Sequence, residues 1–308
     1  MDNHKQNSSE WVKVLKENNL KITDQAKFEW YIDNFNYYNF IKSYNRFFIL
    51  NSDISLNTYK DNVSSSMIIS LFNFDRNVSS IILGDLLSLE RKLSTAICNE
   101  IIRKNHKRIP KLKEGLFISL EDEDIYTIFP KLKTNIKQNP KLFKKYENNE
   151  AKYFKEKFSQ KEKKPLWYFV LELTFGDLVE IFCFLSETSQ KKITCLFLKD
   201  KKYDKCYFDF RSTLKLINHA RNMLCHNSAI YDITYTNYKH RKNIINLYSK
   251  IFNEKITNIK LFNLIKLIEW LTPHNSKLYD ISIEKFDYHF KKINIEILEE
   301  IKLFTNFK

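Results

Sequence analysis

Arg221, Asn222 and His226 fall within the six residues Arg221-Asn222-Met223-Leu224-Cys225-His226. Each carries chemistry that a phosphodiester requires. An imidazole moves a proton near neutral pH. A guanidinium grips a phosphate through two hydrogen bonds and stabilises negative charge as it builds. The Asn222 amide can orient either of them. The trio suits phosphoryl chemistry on RNA without a metal.

The segment that must position them reads as a helix. Leu214, Ile217 and Leu224 form an apolar stripe at helical steps, and Arg221 lies on it, four residues after Ile217. A charge in such a stripe is costly unless it is paired or used. Asn218, Asn222 and His226 are spaced four apart and share a polar line on one flank. Arg221 and His226 lie about 140° apart around an ideal helix. Either the arginine reaches round, or the helix loosens near Asn227-Ser228. A surface Asn/His pair beside a snorkelling arginine accounts for the same local spacing.

A second charge is misplaced in the same way. A long helix reads from about Asn77 to Arg103, with Leu83, Leu86, Leu93 and Ile97 facing inward. Glu90 falls on that line, four after Leu86 and three before Leu93. A carboxylate there asks for a partner. Opposite charges breaking two separate stripes predict that the two helices pack together, with Glu90 near Arg221 and His226.

Composition favours an all-α fold. Only 3 Gly and 5 Pro occur in 308 residues, and long Leu/Ile/Phe/Lys/Glu-rich segments dominate. The 5 Cys are scattered without Cys-x-x-Cys spacing, so they read as reduced thiols of a cytoplasmic protein and supply no zinc site. No cofactor or metal is expected, since no His, Cys, Asp and Glu cluster has ligand spacing. The first residues lack a signal-peptide core. The most apolar window, 166–185, carries Glu172, Asp177 and Glu180, which a membrane span would not tolerate.

A net charge of +14 points towards a polyanion. The charge concentrates in blocks at 103–113, 131–145 and 152–164, with Phe143, Tyr146, Tyr153, Phe154 and Phe158 interleaved. Cations for phosphates and aromatics for bases suit single-stranded nucleic acid, although solvated helices with inward aromatics give the same pattern. Arg103, Lys104, Lys107, Arg108, Lys131, Lys133, Lys144 and Lys145 are the candidate RNA contacts.

Along the chain, a short helix reads from Glu10 to Asn18, and Thr23 or Asp24 caps a second that runs to about Asp33. Phe35 to Phe48 is an aromatic packing joint, and 52–66 a polar loop with a short helix. Pro165 opens an apolar helix to about Leu185, interrupted by Gly176, and two amphipathic helices, near 258–271 and 282–304, close the chain. The domain reading is a helical N-terminal segment (1–70), a core (71–235) holding the basic insert 103–164, and a C-terminal helical extension (236–308), together one compact unit.

Five stretches in order resemble the Abi-like abortive-infection proteins of bacteria, the AbiD and AbiF group. They are Leu15 to Asp24; Asn36-Tyr-Tyr-Asn-Phe40 with Tyr44 and Phe48; Leu71-Phe-Asn-Phe-Asp-Arg76 leading into Leu89-Glu-Arg-Lys-Leu93; Pro165-Leu-Trp167 through Glu172-Leu-Thr-Phe-Gly176; and Arg221-Asn-x-x-Cys-His226. Asn227 stands where a second histidine is common. The resemblance implies a HEPN-type helical bundle and a metal-independent endoribonuclease of phage defence or a toxin–antitoxin system. It casts Arg221 and His226 as the catalytic pair, Asn222 as their polar companion and Glu90 as the orienting carboxylate. It further implies attack by the ribose 2′-hydroxyl, which excludes DNA, a homodimer with a composite cleft, and control by a bound small RNA. The competing reading is a non-catalytic RNA-binding ribonucleoprotein scaffold with the same fold.

Overall fold

Short polar side chains start the first helices. Asn7 accepts from the Glu10 N–H while Glu10 reaches back to the Asn7 N–H, a capping box that opens α1 (Ser8–Glu17). Asp24 accepts from the Lys27 N–H and opens α2 (Gln25–Phe35). Asn36, at φ 66°, turns the chain into a π-helical turn, Tyr38–Lys42. Phe40, Tyr44, Phe47 and Phe48 are buried, so this region is the aromatic joint its composition indicates. The computed structural model describes residues 7–50, 58–105, 166–171, 173–233, 240–272, 277–291 and 293–307. The basic insert beyond residue 105 lies outside them.

The spine of the molecule is α3 (Ser65–Asn105), 41 residues long, or about 60 Å at 1.5 Å per residue. It starts at Ser65, well before Asn77, and takes in part of the polar loop expected over 52–66. Leu71, Phe72, Phe74 and Asp75 are all buried. A helix covered on several sides shows no clean one-face period, which is why its first turns escape a periodicity reading.

The apolar segment after residue 165 is broken into α4 (Leu166–Phe169) and α5 (Phe175–Phe184). The break falls at Thr174, not at Gly176. Thr174 accepts from the Asp177 N–H at 3.2 Å, and Asp177 accepts from the Thr174 N–H at 3.0 Å, so a capping box starts a new helix. Next come α6 (Glu187–Leu198), a 3₁₀ turn (Lys201–Cys206) and α7 (Tyr207–Cys225), the motif helix.

The C-terminal part differs from the two expected helices. It contains α8 (Arg241–Phe252), α9 (Leu261–Leu271), α10 (Leu278–Phe290) and α11 (Ile295–Thr305). Asn294 accepts from the Glu296 N–H and starts α11, splitting what reads as one amphipathic run.

These elements form an all-α bundle. Among the described residues the β-type pairings are two isolated bridges, Lys21 with Ser64 and Ile49 with Tyr59. The motif helix α7 packs against α3, α5, α6 and α8, and its stripe residues Leu214, Ile217 and Leu224 are buried. Phe182 and Phe197 meet Phe210 at ring distances of 5.5 and 5.2 Å. Phe286 and Phe290 of α10 pack on Phe74 of α3, so the C-terminal helices share the core. No helix among the described residues is long and apolar enough to cross a membrane. All five cysteines are free thiols, and burial pushes Cys98 and Cys183 up to about 11.

Candidate active site

Helix α7 stops at the motif. Its last residue is Cys225, and His226 caps it at φ −95° and ψ 12°. Asn227 follows in the left-handed region at φ 54°. Its N–H bonds the Leu224 carbonyl at 3.2 Å, and the Ser228 N–H bonds the Met223 carbonyl at 2.9 Å. This pair of bonds is a Schellman closure, with asparagine in the position glycine usually takes. The helix ends at Asn227-Ser228, after His226, whose N–H still bonds the Asn222 carbonyl at 3.1 Å. Asn222, Cys225 and His226 are exposed.

Arg221 is half-buried on the stripe, one turn before this end. Its Nε is buried and makes no hydrogen bond. Its charge acts on Glu90 of α3, also half-buried. Burial pushes the Glu90 carboxyl above its ordinary pKa, and the Arg221 charge pulls it back. No hydrogen bond or ion pair within 4 Å joins the two among the described residues. The packing of α3 against α7 thus brings the two stripe-breaking charges into one neighbourhood, with no hydrogen bond from the Arg221 guanidinium to protein among the described residues.

Asp75 and Arg76, fourteen residues earlier on α3, form a second charged pair that periodicity does not reveal. Asp75 is fully buried. Its Oδ2 accepts from Tyr44 Oη and from Arg76 Nη2, each at 2.7 Å, and its Oδ1 accepts from the Tyr231 N–H at 2.7 Å. Burial pushes its carboxyl pKa up, against the Arg76 charge and these hydrogen bonds. Arg76 Nη1 donates to Asn227 Oδ1 at 3.2 Å, and Nη2 donates to the Ser228 carbonyl at 2.8 Å. Tyr231 Oη donates to the Ser43 carbonyl at 2.7 Å, and Arg46 pairs with Asp232 at 2.7 Å. The segment after His226 is therefore tied to α3 and to the aromatic joint. Arg221 lies by Glu90 and Asn227 by Arg76, so α7 runs antiparallel to α3 over this stretch.

Two further contacts set the surroundings of α7. A Cβ placed on Gly176 would stand 3.3 Å from the Asn218 amide nitrogen, so the missing side chain lets α5 approach the polar line of the motif helix. Lys92, two residues past Glu90, donates to the Leu271 carbonyl at 3.0 Å and sits 4.3 Å over the Phe197 ring. Burial, helped by the Lys199 charge, lowers its pKa to about 8.

The predicted RNA contacts are less concentrated. Arg103 is exposed at the far end of α3, bonded to Glu100 at 2.8 and 2.6 Å. Lys104 bonds Ser186 and Thr188 at the start of α6. Both lie about 20 Å along α3 from Glu90 at 1.5 Å per residue. Lys107, Arg108, Lys131, Lys133, Lys144 and Lys145 fall outside the described residues. Among the described residues, no three His, Cys, Asp or Glu side chains gather as a metal site.

Fold and site define a helical protein that displays an Arg-Asn-x-x-Cys-His motif at the end of a buried helix. Residues 30–232 match the family model of Abi-like proteins, and the chain belongs to that family. The matched span begins in α2 and ends at Asp232, where the loop anchored by Arg46 closes. Comparison with curated proteins and with solved structures finds no match.

Proposed function

We propose that this protein is a metal-independent HEPN-type endoribonuclease acting in abortive infection or a related toxin system in the bacterial cytoplasm. Membership of the Abi-like family supports the defence role. The observation that carries the nuclease reading is the state of Arg221. It is half-buried under the influence of Glu90, one turn before the exposed His226, and makes no hydrogen bond or ion pair to protein among the described residues. Its terminal guanidinium nitrogens would grip the phosphate oxygens. Arg221 would hold the scissile phosphate and stabilise its transition-state charge. His226, exposed at the helix end, would move the proton between the 2′-hydroxyl and the leaving 5′-oxygen. Asn222 and Glu90 would orient the pair.

Dimerisation about a two-fold axis would bring two motifs to one cleft. Leu87 on α3, and Trp167 and Leu171 around α4, are large exposed apolar side chains suited to a second copy. A structured small RNA bound by the basic insert would restrain the enzyme. Reversing charge at Lys131, Lys133, Lys144 and Lys145 should lower the salt slope of RNA binding by about 0.7 for each lost contact.

The test is incubation of the purified protein with RNA, and with DNA of the same sequence, in excess EDTA. Fragments ending in a 2′,3′-cyclic phosphate, with DNA left intact, are the expected result. RNA that is bound but uncut with or without divalent metal would promote the scaffold reading.

A further inference from the structure

We propose that Asp75 and Arg76 are positioning residues for His226, an inference that rests on the reading that His226 carries the proton. His226 lies outside the regular turns of α7, and its backbone N–H reaches only the Asn222 and Leu224 carbonyls of the same helix. The last turn of a helix has carbonyls that the helix itself cannot satisfy, and it opens most easily. The next residues hold it. Arg76 grips Asn227 and Ser228 with two different nitrogens, and Asp75 takes the Tyr231 N–H. Two adjacent residues of one long helix thus fasten both ends of the 227–231 segment.

Although the Nε of each is buried without an acceptor, Arg76 differs from Arg221 in its terminal nitrogens. Its Nη2 also meets Tyr44 Oη at 3.1 Å and Asp75 Oδ2 at 2.7 Å, so both terminal nitrogens are committed to protein acceptors. It is placed to hold the chain, not a phosphate. A planar fork is needed, because a lysine offers one compact ammonium that cannot reach Asn227 Oδ1 and the Ser228 carbonyl together while facing Asp75. The left-handed Asn227 completes the device, since its backbone makes the turn while its side chain accepts from Arg76.

The experiment is Arg76→Lys, compared with the unmodified protein and His226→Ala. It reads kcat and KM for RNA cleavage and the ring cross-peak of His226 in a carbon–proton NMR spectrum, assigned by its absence in His226→Ala. Loss of fixed geometry should lower kcat about 10- to 100-fold with KM unchanged. The His226 cross-peak should broaden or split while those of His219 and His240 stay in place. An unchanged cross-peak, or an unchanged kcat, would overturn the proposal. Full activity of His226→Ala would instead defeat the nuclease assignment, and the cross-peak would still report whether Arg76 fixes the ring. If Arg76→Lys loses cooperative unfolding, Asn227→Gly keeps the left-handed turn and the Asp75–Arg76–Tyr44 cluster while removing the Arg76 acceptor, and is read the same way.

Discussion

Two charged pairs, Asp75–Arg76 within α3 and Glu90 of α3 with Arg221 of α7, are treated differently. Asp75 and Arg76 are bonded to each other, to Tyr44, to the Tyr231 N–H and to the Asn227–Ser228 segment. Glu90 and Arg221 feel each other's charge but share no hydrogen bond, and Arg221 Nε is buried without an acceptor. Buried charges that only hold a fold are expected to be paired and bonded. Both terminal nitrogens of Arg76 meet that rule, although its Nε, like that of Arg221, is buried without an acceptor; the second pair shares no hydrogen bond among the described residues. The difference lies in the terminal nitrogens, which are bonded to protein in Arg76 and make no protein hydrogen bond among the described residues in Arg221, where the proposed function assigns them to phosphate.

The largest effects should divide the pairs most clearly. Arg221→Ala should lower RNA cleavage by ~10²–10³-fold, the cost of losing a preorganised transition-state donor. Its unfolding free energy in urea should stay within about 1 kcal/mol of the parent, because no bonded partner is stranded. A large stability loss in this variant would mean that Arg221 is a structural residue.

Asp75→Ala should act the other way and lower stability first. Breaking a buried pair costs about 3–5 kcal/mol, and the low end applies because Arg76 keeps some exposure to water. Urea unfolding measures it, and a change under about 1 kcal/mol would erase the contrast between the pairs.

Glu90→Gln should give the smallest shift. Burial raises the folded-state pKa of Glu90, so between the unfolded and folded values the folded chain binds more protons than the unfolded one. Stability from this group is then greatest below the ordinary carboxylate range and falls as pH rises through the folded value. Replacing the carboxyl should raise Tm slightly at neutral pH, with the gain gone in acid, and should slow cleavage less than Arg221→Ala does. A Tm that drops at neutral pH would show that ionised Glu90 is held favourably after all.

Legibility in the sequence followed the same division. Glu90 and Arg221 are visible because each interrupts a one-sided apolar stripe, Leu86–Leu93 and Leu214–Leu224. Asp75 is hidden because its neighbours Leu71, Phe72 and Phe74 are buried with it on a helix covered on several sides. Its partners Tyr44 and Tyr231 are 31 and 156 residues away, and no local spacing reports such contacts. The Thr174-x-x-Asp177 capping box is readable but is obscured by Gly176, which breaks a helix in most sequence readings and here serves the approach of Asn218. The left-handed Asn227 looks like a lost histidine until the Schellman bonds at Leu224 and Met223 are seen.

The central claim is that Arg221 and His226 cut RNA without a metal. Single-turnover cleavage in EDTA by the parent protein and by His226→Ala, both checked for a cooperative unfolding transition, addresses it directly. The account predicts cyclic-phosphate products from the parent and a rate lower by ~10²–10⁴-fold from His226→Ala, as for a lost acid or base. Equal rates, or cleavage that appears only when a divalent metal is restored, would contradict it.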